Sequence, residues 1–241
     1  MTTATRPRAA LCVALDGSDR DWILEGARLL AREVGWFKLG LEAFSAHGPR
    51  LVDEVSQHGL PVFLDLKLHD IPVTVRRAMA NCAASGASMV TVHAAGGRAM
   101  LEAAKEGADA GPGPGPRVVA VTVLTSLDAA ALGELGLDPH PEELVLRWAR
   151  LAAHCGLDGV VASAREAPGL RAACGPDLLI VTPGIRPRWH GADDQSRTVS
   201  PGDAMAAGAD ILVVGRPITR AAAPVDAARR IVAEMAAALR D

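Results

Sequence analysis

At 241 residues, with 49% apolar residues and a formal net charge of −3, the chain can bury a large core and carries no general basic field. A polyanion such as nucleic acid is therefore not an expected partner. An aromatic content of 3%, with no tyrosine, also leaves few platforms for stacking bases.

No stretch approaches the roughly 20 uninterrupted apolar residues of a membrane span. The opening MTTATRPRAALCVALDG sets Arg6 and Arg8 before an apolar run, as a signal peptide would. That run stops early, at Asp16, with no small-residue cleavage pattern behind it, so it reads as a buried strand. Short β-branched apolar runs then alternate with helical patterns along the whole chain. The strand candidates are Ala10–Asp16, Trp36–Gly40, Val62–Lys67, Ser88–Ala94, Val118–Thr125, Gly159–Ser163, Leu178–Pro183 and Ile211–Gly215. Most are continuously apolar rather than alternating, as strands covered on both faces of a parallel sheet are. Between them, amphipathic patterns predict helices over Asp21–Val34, Arg50–His58, Val75–Ser85, Arg98–Glu106, Glu142–Cys155 and Val225–Leu239.

Eight β-then-α units favour an α/β fold closed into a (β/α)8 TIM barrel over an open doubly wound sheet. Composition never shifts enough to mark a boundary, so residues 1–241 read as a single domain. Gly111–Pro116 (GPGPGP) resembles a linker but joins a helix to a strand, which makes it a loop on the bottom face of the barrel. Cys12, Cys82, Cys155 and Cys174 lack CxxC spacing and lie within apolar segments, which predicts reduced, buried thiols in a cytoplasmic protein.

In such barrels chemistry collects where strands end and βα loops begin. The polar residues there are Asp16, Lys38, the group Asp65, Lys67 and Asp70, then His93, Thr125, Ser126, Gly184–Arg186, Gly215 and Arg216. The segment FLDLKLHDIPVTV is the most informative. Asp65 and Lys67 are two apart on a strand and so share a face, with Leu64, Leu66 and Leu68 turned toward the helices. Charges aimed into a barrel mouth are costly unless paired or functional. On the spacing alone the cluster is a register-fixing ion pair, a Mg²⁺ site or a reaction centre. His93, on an apolar strand, reads as a core histidine, and His69 as a local packing residue.

DLKLHDIPVTV resembles the orotidine 5′-phosphate decarboxylase signature DLKxHDIPNTV. The likeness continues in order through ALD at 14–16, KLG at 38–40, VHAAGG at 92–97, VLTS at 123–126, TPGIRP at 182–187, DDQSR at 193–197 and VVGRPI at 213–218. The bacterial dimeric branch fits best. Val73 departs from it, standing where that branch usually has Asn, which the resemblance implies changes a loop or interface contact rather than the chemistry.

This resemblance implies decarboxylation of orotidine 5′-monophosphate to uridine 5′-monophosphate, the last step of UMP biosynthesis, with no cofactor and no metal. Loss of CO₂ from C6 leaves a vinylic carbanion that the ring cannot delocalise. Such an enzyme must stabilise the charge electrostatically and supply a proton at once. A lysine flanked by carboxylates suits that task. The resemblance implies that Asp65 abuts the substrate carboxylate and that Lys67 protonates C6. It also implies that Asp70 enters from the partner of a homodimer. Asp16 and Lys38 would hold ribose hydroxyls, with Lys38 bridging to the charged cluster, and Thr74 would reach the ribose from the neighbouring subunit. Thr125 and Ser126 would meet the pyrimidine edge. Arg186, Gln195, Gly215 and Arg216 would hold the 5′-phosphate, the last two where barrels often bind phosphate. The polar stretch Pro187–Ser200 would close over it as a lid.

Two alternatives share parts of this pattern. Mg²⁺-dependent phosphosugar lyases of related barrels have D-x-K-x-x-D, but HDIP, TPGIRP and DDQ argue against them. The other is a non-catalytic nucleotide-binding barrel.

Overall fold

Each of the eight apolar runs forms a strand, and the strands pair in sequence order, all parallel, until the last meets the first. A computed structural model describes residues 5–137, 139–189 and 199–239. The strands are β1 (Leu11–Ala14), β2 (Trp36–Gly40), β3 (Val62–Leu68), β4 (Met89–His93), β5 (Arg117–Val121), β6 (Gly159–Val161), β7 (Leu179–Thr182) and β8 (Ile211–Val214). The result is a closed (β/α)8 barrel.

Alternation along each strand divides the core in two. Residues such as Leu11, Val13, Leu64, Val90, Val118 and Ile180 face outward and pack against the helices. Cys12, Ala14, Phe63, Met89, Val119, Val181, Ile211 and Val213 fill the barrel interior. With so few aromatics in the chain, Phe63 and Met89 are the large fillers, and small side chains complete the layer. At the N-terminal end, Asp158 and Asp210 each precede a strand and accept from neighbouring backbone N–H groups, of Val118 and Ile180, both at 2.8 Å. Arg171 ties Asp210 to the Gly208 carbonyl (2.9 Å) and so clamps that end. The GPGPGP loop connects helix Gly97–Ala108 to β5 and lies at this same end, as its sequence suggested.

Several boundaries differ from the sequence reading. Ala10 closes a short helix, Thr5–Ala10, instead of opening β1. The first predicted helix spans only Arg20–Leu30, capped by Asp19, whose carboxylate accepts from the Asp21 and Trp22 N–H groups. An unforeseen helix, Leu41–His47, follows β2 directly. Gly48, at φ 67°, separates it from helix Pro49–Ser56 by adopting a backbone that other residues resist. Strand β5 ends at Val121, so Thr125 and Ser126 lie on the following loop and not at a strand end. Cys12, Cys82 and Cys155 are buried free thiols, but Cys174 is only half-buried.

Candidate active site

The site grows from an irregularity in β3. Leu64 pairs with Val90 and Leu68 with Val92, so four steps on β3 oppose two on β4. The extra length falls at Asp65–Lys67, where Lys67 takes φ +52°, the one left-handed non-glycine among the described residues. For a lysine that backbone costs about 1–2 kcal/mol, and such strain persists only where the surroundings fix it. Here they do. The Lys67 N–H donates to Thr91 Oγ1 (2.8 Å), and Lys67 Nζ donates to both oxygens of Asp65 (2.9 Å each). The bulge re-aims a side chain, as bulges beside functional sites often do.

A chain of opposite charges runs across the mouth from this pair. Lys38, almost wholly buried, lies 3.5 Å from Asp65 and 2.8 Å from Asp16. Gly40 makes room for it, because a Cβ there would lie 2.6 Å from Asp16 Oδ1 and 3.1 Å from Lys38 Nζ. Its φ of −94° is open to any residue, so the glycine is required for space, not for backbone freedom.

Charge sharing favours the ionised forms of Asp65 and Lys38. Burial pushes the Asp65 carboxyl up, but Lys38 and Lys67 outweigh burial and hold it below the usual carboxylate range. Burial pulls Lys38 down, and Asp65 with Asp16 more than restores it, leaving it above the usual lysine value. Directly beneath, burial pushes the Cys12 thiol up, so it remains a neutral filler.

Two cavities open at this end. The first, of about 170 Å³, takes Lys38, Asp65 and Lys67 from β2 and β3. Its other walls are Val121, Val123, Leu124, Val161, Pro183 and Val213, with Thr125 on the rim. Charges that face an apolar, poorly screened wall act more strongly than they would in water. The second cavity, of about 540 Å³, lies between the ends of β1 and β8 and includes Asp16, Trp22, Glu42, Gly215, Arg216 and Arg220. The Asp16–Lys38 pair stands where the two meet.

The structure therefore brings Asp16, Lys38, Asp65 and Lys67 into one contact network, with Gly215 and Arg216 across the second cavity. Thr125 borders the first cavity, whereas Ser126 is exposed and lines neither. Arg186 is half-buried, its N–H bonded to the Val199 carbonyl (3.0 Å), and it also lines neither. Asp70 and Thr74 are exposed on the rim. Asp70 accepts from the Ile71 N–H (2.6 Å) and makes no ion pair among the described residues, so it does not flank Lys67 within its own chain. Gln195, with Gly191, Asp193 and Asp194 of the polar stretch, lies outside the described residues.

His93 corrects its reading as a core residue. It is half-buried at the mouth, its ring 5.4 Å from that of His69, and burial, then His69 and Lys67, hold it below the usual histidine value. Thr91 escaped the sequence reading altogether. Its only signal was a hydroxyl in an otherwise apolar strand, two residues before His93 and hence on the same inward face.

Fold and site together define a (β/α)8 barrel of the kind that handles charged small molecules at the C-terminal ends of its strands. The chain belongs to the orotidine 5′-phosphate decarboxylase / HUMPS family, whose sequence model matches residues 9–231. It is 52% identical over 228 residues to an orotidine 5′-phosphate decarboxylase of Anaeromyxobacter sp. (strain K), covering 95% of this chain and 99% of that one. A Heliobacterium modesticaldum protein of the same name is 50% identical over 234 residues, covering 95% and 96%. Among solved structures, orotidine 5′-phosphate decarboxylase from Lactobacillus acidophilus superposes with a TM-score of 0.82 at 37% identity, covering 93% of this chain and 98% of that one.

Proposed function

We propose that the chain, working as one domain over residues 1–241, decarboxylates orotidine 5′-monophosphate to uridine 5′-monophosphate in pyrimidine biosynthesis. The observation that carries this is the Asp65–Lys67 pair, 2.9 Å apart, facing an apolar wall inside the barrel mouth. The names of relatives at about half identity over nearly the whole chain agree with it.

The substrate carboxylate lies beside Asp65. The C6–carboxyl bond breaks, CO₂ leaves, and its electron pair remains on C6. Lys67 Nζ, already directed at Asp65, stabilises that charge and then gives C6 a proton, and the resulting amine regains one from solvent. Interactions that strengthen as charge develops are the ones that accelerate the step. Asp16 and Lys38 hold the ribose where the cavities meet, Thr125 and Ser126 meet the base, and Gly215 and Arg216 take the phosphate with Arg186 and Gln195. No cofactor or metal enters this scheme.

A homodimer completes the proposal. Ile71 and Val73, 63% and 42% exposed, flank Asp70 and Thr74 on the rim. Apolar side chains left exposed there suit a two-fold contact in which each subunit lends Asp70 and Thr74 to the other. A reducing, cytoplasmic setting fits four free thiols.

Turnover of orotidine 5′-monophosphate, followed by ultraviolet absorbance with excess EDTA, tests the activity. Undiminished turnover is expected, and turnover only of a phosphosugar with added Mg²⁺ would favour the lyase alternative. For the shared site, Lys67→Ala and Asp70→Ala homodimers, each nearly inactive, are allowed to exchange subunits. About half of randomly mixed dimers are hybrids, each with one intact site, so activity should recover to roughly a quarter of wild type. No recovery, with exchange confirmed by mass spectrometry, would show that Asp70 serves its own chain.

A further inference from the structure

Thr91 is fully buried on the inner face of β4, between the interior filler Met89 and the mouth residue His93. Its hydroxyl accepts the Lys67 N–H at 2.8 Å and lies 3.0 Å from Asp65 Oδ1. A hydroxyl has one proton to give. With the Lys67 N–H donating to its oxygen, that proton is directed to the carboxylate. One side-chain oxygen thus satisfies a backbone donor in a strained conformation and also stops the neighbouring carboxylate from rotating.

We propose that Thr91 is a positioning residue for the reaction, its hydroxyl locking Asp65 and the left-handed backbone of Lys67 into one rigid unit. This rests on the reading of Asp65 and Lys67 as the reacting pair.

Three features of the site support the assignment. The bulge leaves the Lys67 N–H without a regular ladder partner on β4, and a buried unpaired N–H costs about 1–3 kcal/mol. Without the hydroxyl, Lys67 is pressed toward an ordinary extended backbone, which rotates its side chain away from the cavity. Asp65 would keep Lys67 at 2.9 Å and the more distant Lys38 at 3.5 Å, neither of which fixes the rotation of its carboxylate as the Thr91 hydroxyl does. A misplacement of about 1 Å at a reacting group can cost about a hundredfold in rate.

The test uses Thr91→Val, which keeps the shape and removes the hydroxyl, and Thr91→Ser, which keeps the hydroxyl and removes the methyl. Thr91→Val should lower kcat about a hundredfold with KM within about threefold, while Thr91→Ser stays within about fivefold of wild type. The acid limb of kcat should move to higher pH in Thr91→Val, because the hydroxyl helps hold the Asp65 carboxyl down. Titration of the substrate phosphate is common to both enzymes and cancels in the comparison. Exchange of the Lys67 amide proton, read by NMR, should quicken in Thr91→Val and not in Thr91→Ser.

If Thr91→Val fails to fold, Thr91→Ala against Thr91→Ser makes the same comparison. A folded Thr91→Val enzyme with more than a third of wild-type kcat, or a Thr91→Ser enzyme equally impaired, would overturn the proposal. An active Lys67→Ala enzyme would instead sink the reading beneath it, so the two failures are separable.

Discussion

Replacing Gly40 by alanine inserts one methyl group at the most crowded point of the charge chain. The new carbon would lie 2.6 Å from Asp16 Oδ1, well inside contact distance, and 3.1 Å from Lys38 Nζ. Asp16 is the partner that can move, since its side chain is 51% exposed and that of Lys38 only 9%. The carboxylate therefore swings toward solvent, and Lys38 keeps only Asp65, at 3.5 Å. An exposed ion pair is worth up to about 1 kcal/mol, and stranding a fully buried charge costs about 3–5 kcal/mol. A pair with one exposed partner falls between, at about 1–2 kcal/mol. For a chain of this length that lowers Tm by roughly 2–8 °C. If Asp16 holds the ribose as proposed, its displacement also removes that hydrogen bond, worth about 1.5–3 kcal/mol for a charged group, so kcat/KM should fall roughly 10- to 150-fold. Steady-state kinetics and thermal melts on Gly40→Ala, Asp16→Ala and the double variant form the assay. If the methyl group acts through Asp16, the double variant is no worse than Asp16→Ala alone. Fully additive losses would refute the reasoning.

Arg216→Ala should damage turnover of the phosphorylated substrate far more than that of orotidine. Equal losses in kcat/KM for the two would place the guanidinium away from the phosphate. At alkaline pH the buried thiols matter, because burial raises Cys82 from 9.0 to about 11. The folded state then retains a proton that the unfolded chain has released, so this contribution is intact below pH 9 and is lost as pH climbs toward 11. With no tyrosine titrating in that range, urea midpoints should fall less steeply between pH 8.5 and 10.5 in Cys82→Ala, and an unchanged slope would contradict the assignment.

The barrel was legible because a strand buried on both faces must be apolar throughout, and eight such runs alternate with amphipathic helices. The Asp65–Lys67 placement was legible too, although regular alternation predicted it for an incomplete reason. What aims Lys67 is a bulge and a left-handed residue, and neither leaves a mark in a two-residue repeat. Helix Leu41–His47 was hidden because Gly48 divides the stretch before Pro49 into pieces too short to show a period. Thr91 was hidden because threonine is an ordinary strand former, and only the opposing bulge turns its hydroxyl into a structural centre. Asp70 and Thr74 were recognisable from the motif alone, since within their own chain they stand exposed on the rim, apart from the charge network.

On the proposed mechanism, Lys67 supplies the proton to C6. Turnover of orotidine 5′-monophosphate by Lys67→Ala tests it most directly, with circular dichroism confirming the fold and uridine 5′-monophosphate titration confirming binding. A folded protein that binds the nucleotide and shows no measurable decarboxylation is expected. A folded variant that keeps more than a few per cent of the wild-type rate would contradict it.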